Sequence, residues 1–79
     1  MESEEFRKIG KEGNHVKSYL DDNRTFEGIV RGLTPDGYVI MDVSKATDNG
    51  KTLRQGRYKY PLSLVTMVVP GNYDFEEDA

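Results

Sequence analysis

The sequence predicts a mainly β protein, in which one short N-terminal α-helix is followed by a strongly bent, five-stranded antiparallel small barrel. Three observations carry this reading. Apolar residues recur at alternate positions from His15 to Leu20, and Phe26, Gly28 and Val30 alternate with Glu27, Ile29 and Arg31 in the next run, the period of a pleated strand. Turn chemistry interrupts the runs at short intervals, at Asp21-Asp22-Asn23-Arg24, Thr34-Pro35-Asp36-Gly37, Asp48-Asn49-Gly50 and Pro70-Gly71. Finally, Gly28 stands in mid-strand, where glycine adds nothing to packing and marks a bend, bulge or close backbone approach. Here it is read as a bend that lets a short sheet curl on itself.

The helix is placed at about residues 3–12. Ser3 supplies an N-cap, Glu4 and Glu5 suit the positive end of the dipole, and Gly13 is positioned to end the helix in the left-handed conformation. Its apolar face is only Phe6 and Ile9, so it needs a larger surface to dock on. The first strand runs from His15 to Leu20, with Val16, Ser18 and Leu20 on one side and Lys17 and Tyr19 on the other. The second spans Thr25 to Leu33 and has apolar groups on both faces, as expected of a strand passing from one side of a barrel to the other. After the Thr34–Gly37 turn, a third strand covers Tyr38 to Val43. The apolar signal then lapses, so residues 44–56 read as a long hairpin loop with Asp48-Asn49-Gly50 at its apex. A fourth strand follows from Arg54 to Tyr60, interrupted by Pro61, and a short fifth from Val65 to Val69, stopped by Pro70-Gly71.

At 79 residues the chain has room for one domain, 1–73, whose core is small; residues 74–79, rich in Asp and Glu, read as a solvated, disordered acidic tail. No cysteine is present, and His15 alone cannot build a zinc site, so oligomerisation is the remaining source of support for so small a fold. The opening MESEEF is acidic where a signal peptide is basic, and no apolar run approaches a membrane span, which together predict a soluble, cytoplasmic protein.

The formal net charge of −3 argues against a polyanionic partner, but the charges are unevenly spread. Lys45, Lys51, Arg54, Arg57 and Lys59 face only Asp48 between positions 45 and 59, so the middle of the chain is locally basic. Catalysis has no support. His15 has no neighbouring nucleophile, Asp21-Asp22 belong to a turn, no glycine-rich phosphate loop occurs, and no cofactor or metal is implied.

Several segments in this order resemble the Sm/LSm superfamily, which includes bacterial Hfq. After the helix, Val16-Lys17-Ser18-Tyr19-Leu20 is similar to the family's Val-x-x-x-Leu, and Phe26-Glu27-Gly28-Ile29-Val30 to its apolar-x-Gly-x-apolar signature; Tyr38-Val39-Ile40-Met41 follows. Val65-Thr66-Met67-Val68-Val69-Pro70 resembles the ending of Hfq, and the likeness covers roughly residues 6–70. It implies a divergent member: a five-stranded bent barrel whose fourth strand pairs with the fifth strand of a neighbour, closing a ring that binds RNA.

The family's RNA-contacting positions match only in part. In the loop between the second and third strands, Asp36 offers an acceptor for a base edge and Tyr38 a stacking face. Tyr58-Lys59-Tyr60 is similar to the Tyr-Lys-His of Hfq, whereas counting back from Val69-Pro70 puts Pro61-Leu62-Ser63 in that register. The resulting expectation is a non-catalytic ring that binds single-stranded RNA, with Asp36, Tyr38, Arg54, Arg57, Tyr58, Lys59 and Tyr60 as candidate contacts through base stacking and phosphate pairing. Lys8 and Lys11 on the helix are further candidates. The alternative is an oligomeric protein-interaction scaffold on the same fold that has lost its RNA sites. The arrangement of the five cations discriminates: convergence on one face favours RNA, and scatter favours protein.

Overall fold

The computed structural model describes residues 1–71, so the predicted tail at 74–79 lies outside the described residues. A single short helix, α1 (Ser3–Arg7), precedes six strands: β1 (His15–Leu20), β2 (Arg24–Leu33), β3 (Tyr38–Asp48), β4 (Lys51–Leu53), β5 (Gly56–Pro61) and β6 (Val65–Pro70). A 3-10 turn, Leu62–Leu64, joins the last two strands. All pairings are antiparallel, in the order β4-β3-β2-β1-β6, with β5 paired to the other half of β3.

The sheet bends because its longest pairing is interrupted. Between β2 and β3 the register shifts at Glu27/Gly28 and again at Val30/Gly32, and such extra residues kink a strand and sharpen its twist. Gly28 lies at the first of these shifts. A Cβ built there would stand 2.0 Å from the carbonyl oxygen of Asp42 and 2.8 Å from the Cα of Val43, so glycine permits a close backbone approach across the bend.

The concave side of the sheet holds the core. Val16 and Leu20 of β1, Phe26 and Val30 of β2, Val39, Met41 and Val43 of β3, and Val65 and Val68 of β6 are all buried. The alternation read in β1 is observed in full, with Val16, Ser18 and Leu20 inward and the residues between them half-buried. Phe6, fully buried, is the point at which α1 docks, and Ile9 packs beside it.

Three boundaries differ from the sequence reading, each for a local reason. The helix is five residues long instead of about ten, and its N-cap is Glu2 with no side-chain bond, not Ser3. The amides of both Ile9 and Gly10 donate to the carbonyl of Phe6 (3.1 and 2.7 Å), and the chain turns away there. Gly10 sits so close to Phe6 that a Cβ would strike its ring at 2.3 Å, while Gly13, with φ of 90°, serves the turn into β1. The supposed loop at 44–56 is mostly strand: β3 continues to Asp48, turns at Asn49-Gly50 and returns as β4, opposite Ala46–Asp48. Threonines and charges, half-buried or exposed, produce no apolar alternation there, yet Thr47 pairs with Thr25 of the neighbouring β2, side chain to side chain, at 2.6 Å. Consequently the fourth predicted strand starts at Gly56, not Arg54.

Candidate nucleic-acid interface

The two segments singled out in the sequence, the β2–β3 turn and the end of β5, meet in space. Tyr38 lies opposite Pro61 and Ile40 opposite Lys59 in the β3–β5 ladder, and the amide of Leu62 donates to the carbonyl of Gly37 at 2.9 Å, tying the 3-10 turn to the β2–β3 turn. The turn is built by Thr34. Its hydroxyl accepts from the Tyr38 amide at 2.9 Å and donates to the Asp36 carboxylate. That bond, reinforced by the charge of Lys59, holds the Asp36 carboxyl below the usual carboxylate range.

Tyr38 is half-buried, and the ammonium of Lys59 lies 4.8 Å from its ring centre. A cation over an aromatic face is attracted by the ring quadrupole. Asp36, Tyr38 and Lys59 therefore form one cluster containing an exposed acceptor, an aromatic ring and an exposed cation.

The remaining candidates are placed elsewhere. Tyr60 is 1% exposed, its ring stacked on Phe26 at 4.9 Å and its hydroxyl donating to Ser18 Oγ at 2.8 Å. It is a core residue, and burial pushes its phenol up to about 12. Tyr58 is half-buried, its ring tilted by 43° against that of Phe26 with centroids 4.9 Å apart, and its hydroxyl donates to the carbonyl of Arg54 at 2.7 Å. Both tyrosines thus build the aromatic stack that fastens β5 to β2, because β5 alternation turns positions 58 and 60 to the core side while Arg57 and Lys59 face out.

The locally basic segment is largely offset by acids from neighbouring strands. Lys45 stands opposite Glu27, Lys51 opposite Asp48, and Arg57 opposite Asp42. The last pairing is the tightest: Arg57 Nε and Nη2 donate to Asp42 at 2.7 and 3.1 Å, and Arg31 Nε donates to the same carboxylate at 2.5 Å. Hydrogen bonds from Arg57, then from Arg31, hold the Asp42 carboxyl well below its usual range. Of the five cations, Lys59 belongs to the Tyr38 cluster and Arg54 is exposed between β4 and β5.

Sequence reasoning missed Asp42, Arg31 and Ser18. Alternation alone assigns Asp42 and Arg57 to outward positions, but nothing in a single sequence gives the β3–β5 register that sets them side by side. Ser18 could be read as inward, and its partner Tyr60 could not.

The fold is Sm-like. A heptameric archaeal Sm protein of known crystal structure superposes with a TM-score of 0.60, over 76% of this chain and 88% of that one, at 20% sequence identity. No protein-family model matches the sequence, and no curated protein does so.

Proposed function

We propose that this chain assembles into a cyclic homo-oligomer that binds single-stranded RNA without chemistry, each subunit contributing the Asp36, Tyr38 and Lys59 cluster. The observation that carries this reading is the joining of the β2–β3 turn to the end of β5, with the Lys59 ammonium 4.8 Å from the Tyr38 ring. A base stacks on Tyr38, Asp36 accepts from its edge, and Lys59 turns from the ring to the phosphate. Arg54 adds a second phosphate contact. Tyr58 and Tyr60 act indirectly, by fixing the strand that presents Lys59.

Assembly follows from the sheet's edges. Among the described residues the outer edges of β5 and β6 pair with no strand, and Met67 on β6 is 47% exposed, the one large hydrophobic residue so exposed. Open, apolar edges recruit other strands, and a closed ring satisfies each one with a copy of the same chain. The archaeal Sm protein of similar fold is itself a heptamer.

Binding of short uridine-rich and adenine-rich strands, measured over a range of salt, tests the proposal. With about two phosphate contacts per engaged subunit, log affinity is expected to fall against log salt with a slope of roughly −1.4 per subunit. Replacing Tyr38 by Ala is expected to weaken binding by about 5- to 150-fold, the range of one lost stacking contact. If neither strand binds better than a duplex, and Tyr38→Ala changes nothing, the RNA reading fails.

One observation favours the second reading, a protein-interaction scaffold. Lys45 stands opposite Glu27 and Lys51 opposite Asp48, which lowers the net attraction of that hairpin for phosphates. An assembled ring with no strand affinity at low salt is the outcome that selects it.

A further inference from the structure

Where β3 passes from one partner strand to the next, the sheet has a gap. Val43 is opposite Gly56, the first residue of β5, and Ala46 is opposite Leu53, the last of β4. Ser44 and Lys45 therefore have no opposite number on that side. The gap opens into a shallow hollow of the outer surface, lined by Asp42, Ser44, Gln55, Gly56 and Arg57. Gly56 leaves it wide, since a Cβ there would meet nothing within 4 Å.

The side chains around the hollow are donors. Arg57 is exposed and its guanidinium has five N–H groups, of which two are spent on Asp42. Gln55 brings an amide, and Ser44 a hydroxyl that now donates to the carbonyl of Glu27 at 3.2 Å. Arg31, on the far side of the same carboxylate, is also exposed. Two guanidiniums facing one carboxylate leave a group with a net charge of +1, and the shared carboxylate fixes the orientation of both planar forks, which lowers the cost of meeting an oxyanion.

We propose that this hollow is a phosphate-binding site, in which Arg57 grips the anion, Ser44 and Gln55 donate to its remaining oxygens, and Asp42 is the positioning residue that aims Arg57, with Arg31 supplying the second positive charge. A tetrahedral phosphate accepts from a fork and from neighbouring donors at once, which suits this set better than a planar carboxylate. The site shares no residue with the Asp36, Tyr38 and Lys59 cluster, so it stands or falls separately.

Titration of the full chain with inorganic phosphate, followed by amide and arginine Nε NMR signals at constant ionic strength, is the test. Millimolar phosphate is expected to move Ser44, Gln55, Gly56 and Arg57, and to leave Tyr38 and Lys59 in place. Arg57→Lys retains the charge but not the fork, and is expected to weaken the response at least fivefold, whereas Lys51→Gln leaves it unchanged. A parallel titration with uridylyl-uridine, which has one phosphodiester and no terminal phosphate, separates the sources. Response to both assigns the site to the backbone of a strand; response to phosphate alone assigns it to a phosphomonoester. If chloride produces the same shifts, if they spread over every basic residue, or if Arg57→Lys titrates like the parent, the proposal is wrong.

Discussion

Replacing Gly28 by alanine places a methyl group where the backbone of the facing strand already is. Its Cβ would lie 2.0 Å from the carbonyl oxygen of Asp42, roughly 1.4 Å short of the 3.4 Å at which ordinary contact begins. The obstacle is main chain, so no rotamer change relieves it; β2 and β3 have to separate at the register shift between Glu27 and Gly28. Overpacking a filled interior costs about 1–3 kcal/mol and occasionally more, and a clash with paired backbone belongs at the upper end. Alanine stiffens the unfolded chain and returns about 0.4–1 kcal/mol. The net destabilisation is therefore about 2 kcal/mol or more, a large part of the 5–15 kcal/mol that hold an ordinary domain together. For a chain of this length it corresponds to a drop in Tm of roughly 8–16 °C. Urea unfolding followed by far-ultraviolet circular dichroism, at one fixed protein concentration because assembly contributes to apparent stability, measures it. A Gly28→Ala variant within about 0.5 kcal/mol of the parent would refute the idea that close approach at this position sets the bend.

Other expected outcomes concern the core, the helix and the edge. Tyr60→Phe removes the bond to Ser18 and is expected to cost about 1 kcal/mol at neutral pH. The phenol's folded pKa of about 12 lies above the ordinary 10, so its contribution is complete below pH 10 and lost as pH rises towards 12. Parent stability should fall across that window, and a Tyr60→Phe profile as steep as the parent's would show that other groups cause the decline. Phe6→Ala is expected to lose about 3 kcal/mol in the same unfolding assay, since a five-residue helix has no stability of its own once its buried ring is gone. Met67→Asp, on the open edge of β6, is expected to shift the mass measured by light scattering from an oligomer to a monomer while the circular dichroism spectrum is unchanged. A parent that is already monomeric at micromolar concentration would end the ring proposal.

Most of the fold was legible because its signals are local. The alternation of His15–Leu20 needs only one strand to be read, and the turns at Thr34–Gly37 and Asn49-Gly50 announce themselves by residue type. What escaped is what depends on long-range pairing. The second half of β3 is polar and projecting, so its strand character comes from partners in β2 and β4 and not from its own pattern. The aromatic stack of Phe26, Tyr58 and Tyr60 illustrates the same limit at the candidate site. In the sequence these tyrosines stand among cations and look like an exposed binding surface, and only the register shows two of them turned toward the core. Tyr38 and Lys59 stand 21 positions apart in the chain, and their proximity is a fact of the β3–β5 ladder.

The eleven residues of β3 are flanked by β2 on one side and by β5 and then β4 on the other, so this strand has no exposed long edge except at the short gap near Ser44. Each central amide donates to only one of these neighbours, so exposing the whole set requires β2 and β5, joined to each other through the Phe26 stack, both to part from β3. Hydrogen exchange there should proceed only through opening of the whole molecule, making the Val39–Val43 amides the slowest in the chain and a direct gauge of its global stability.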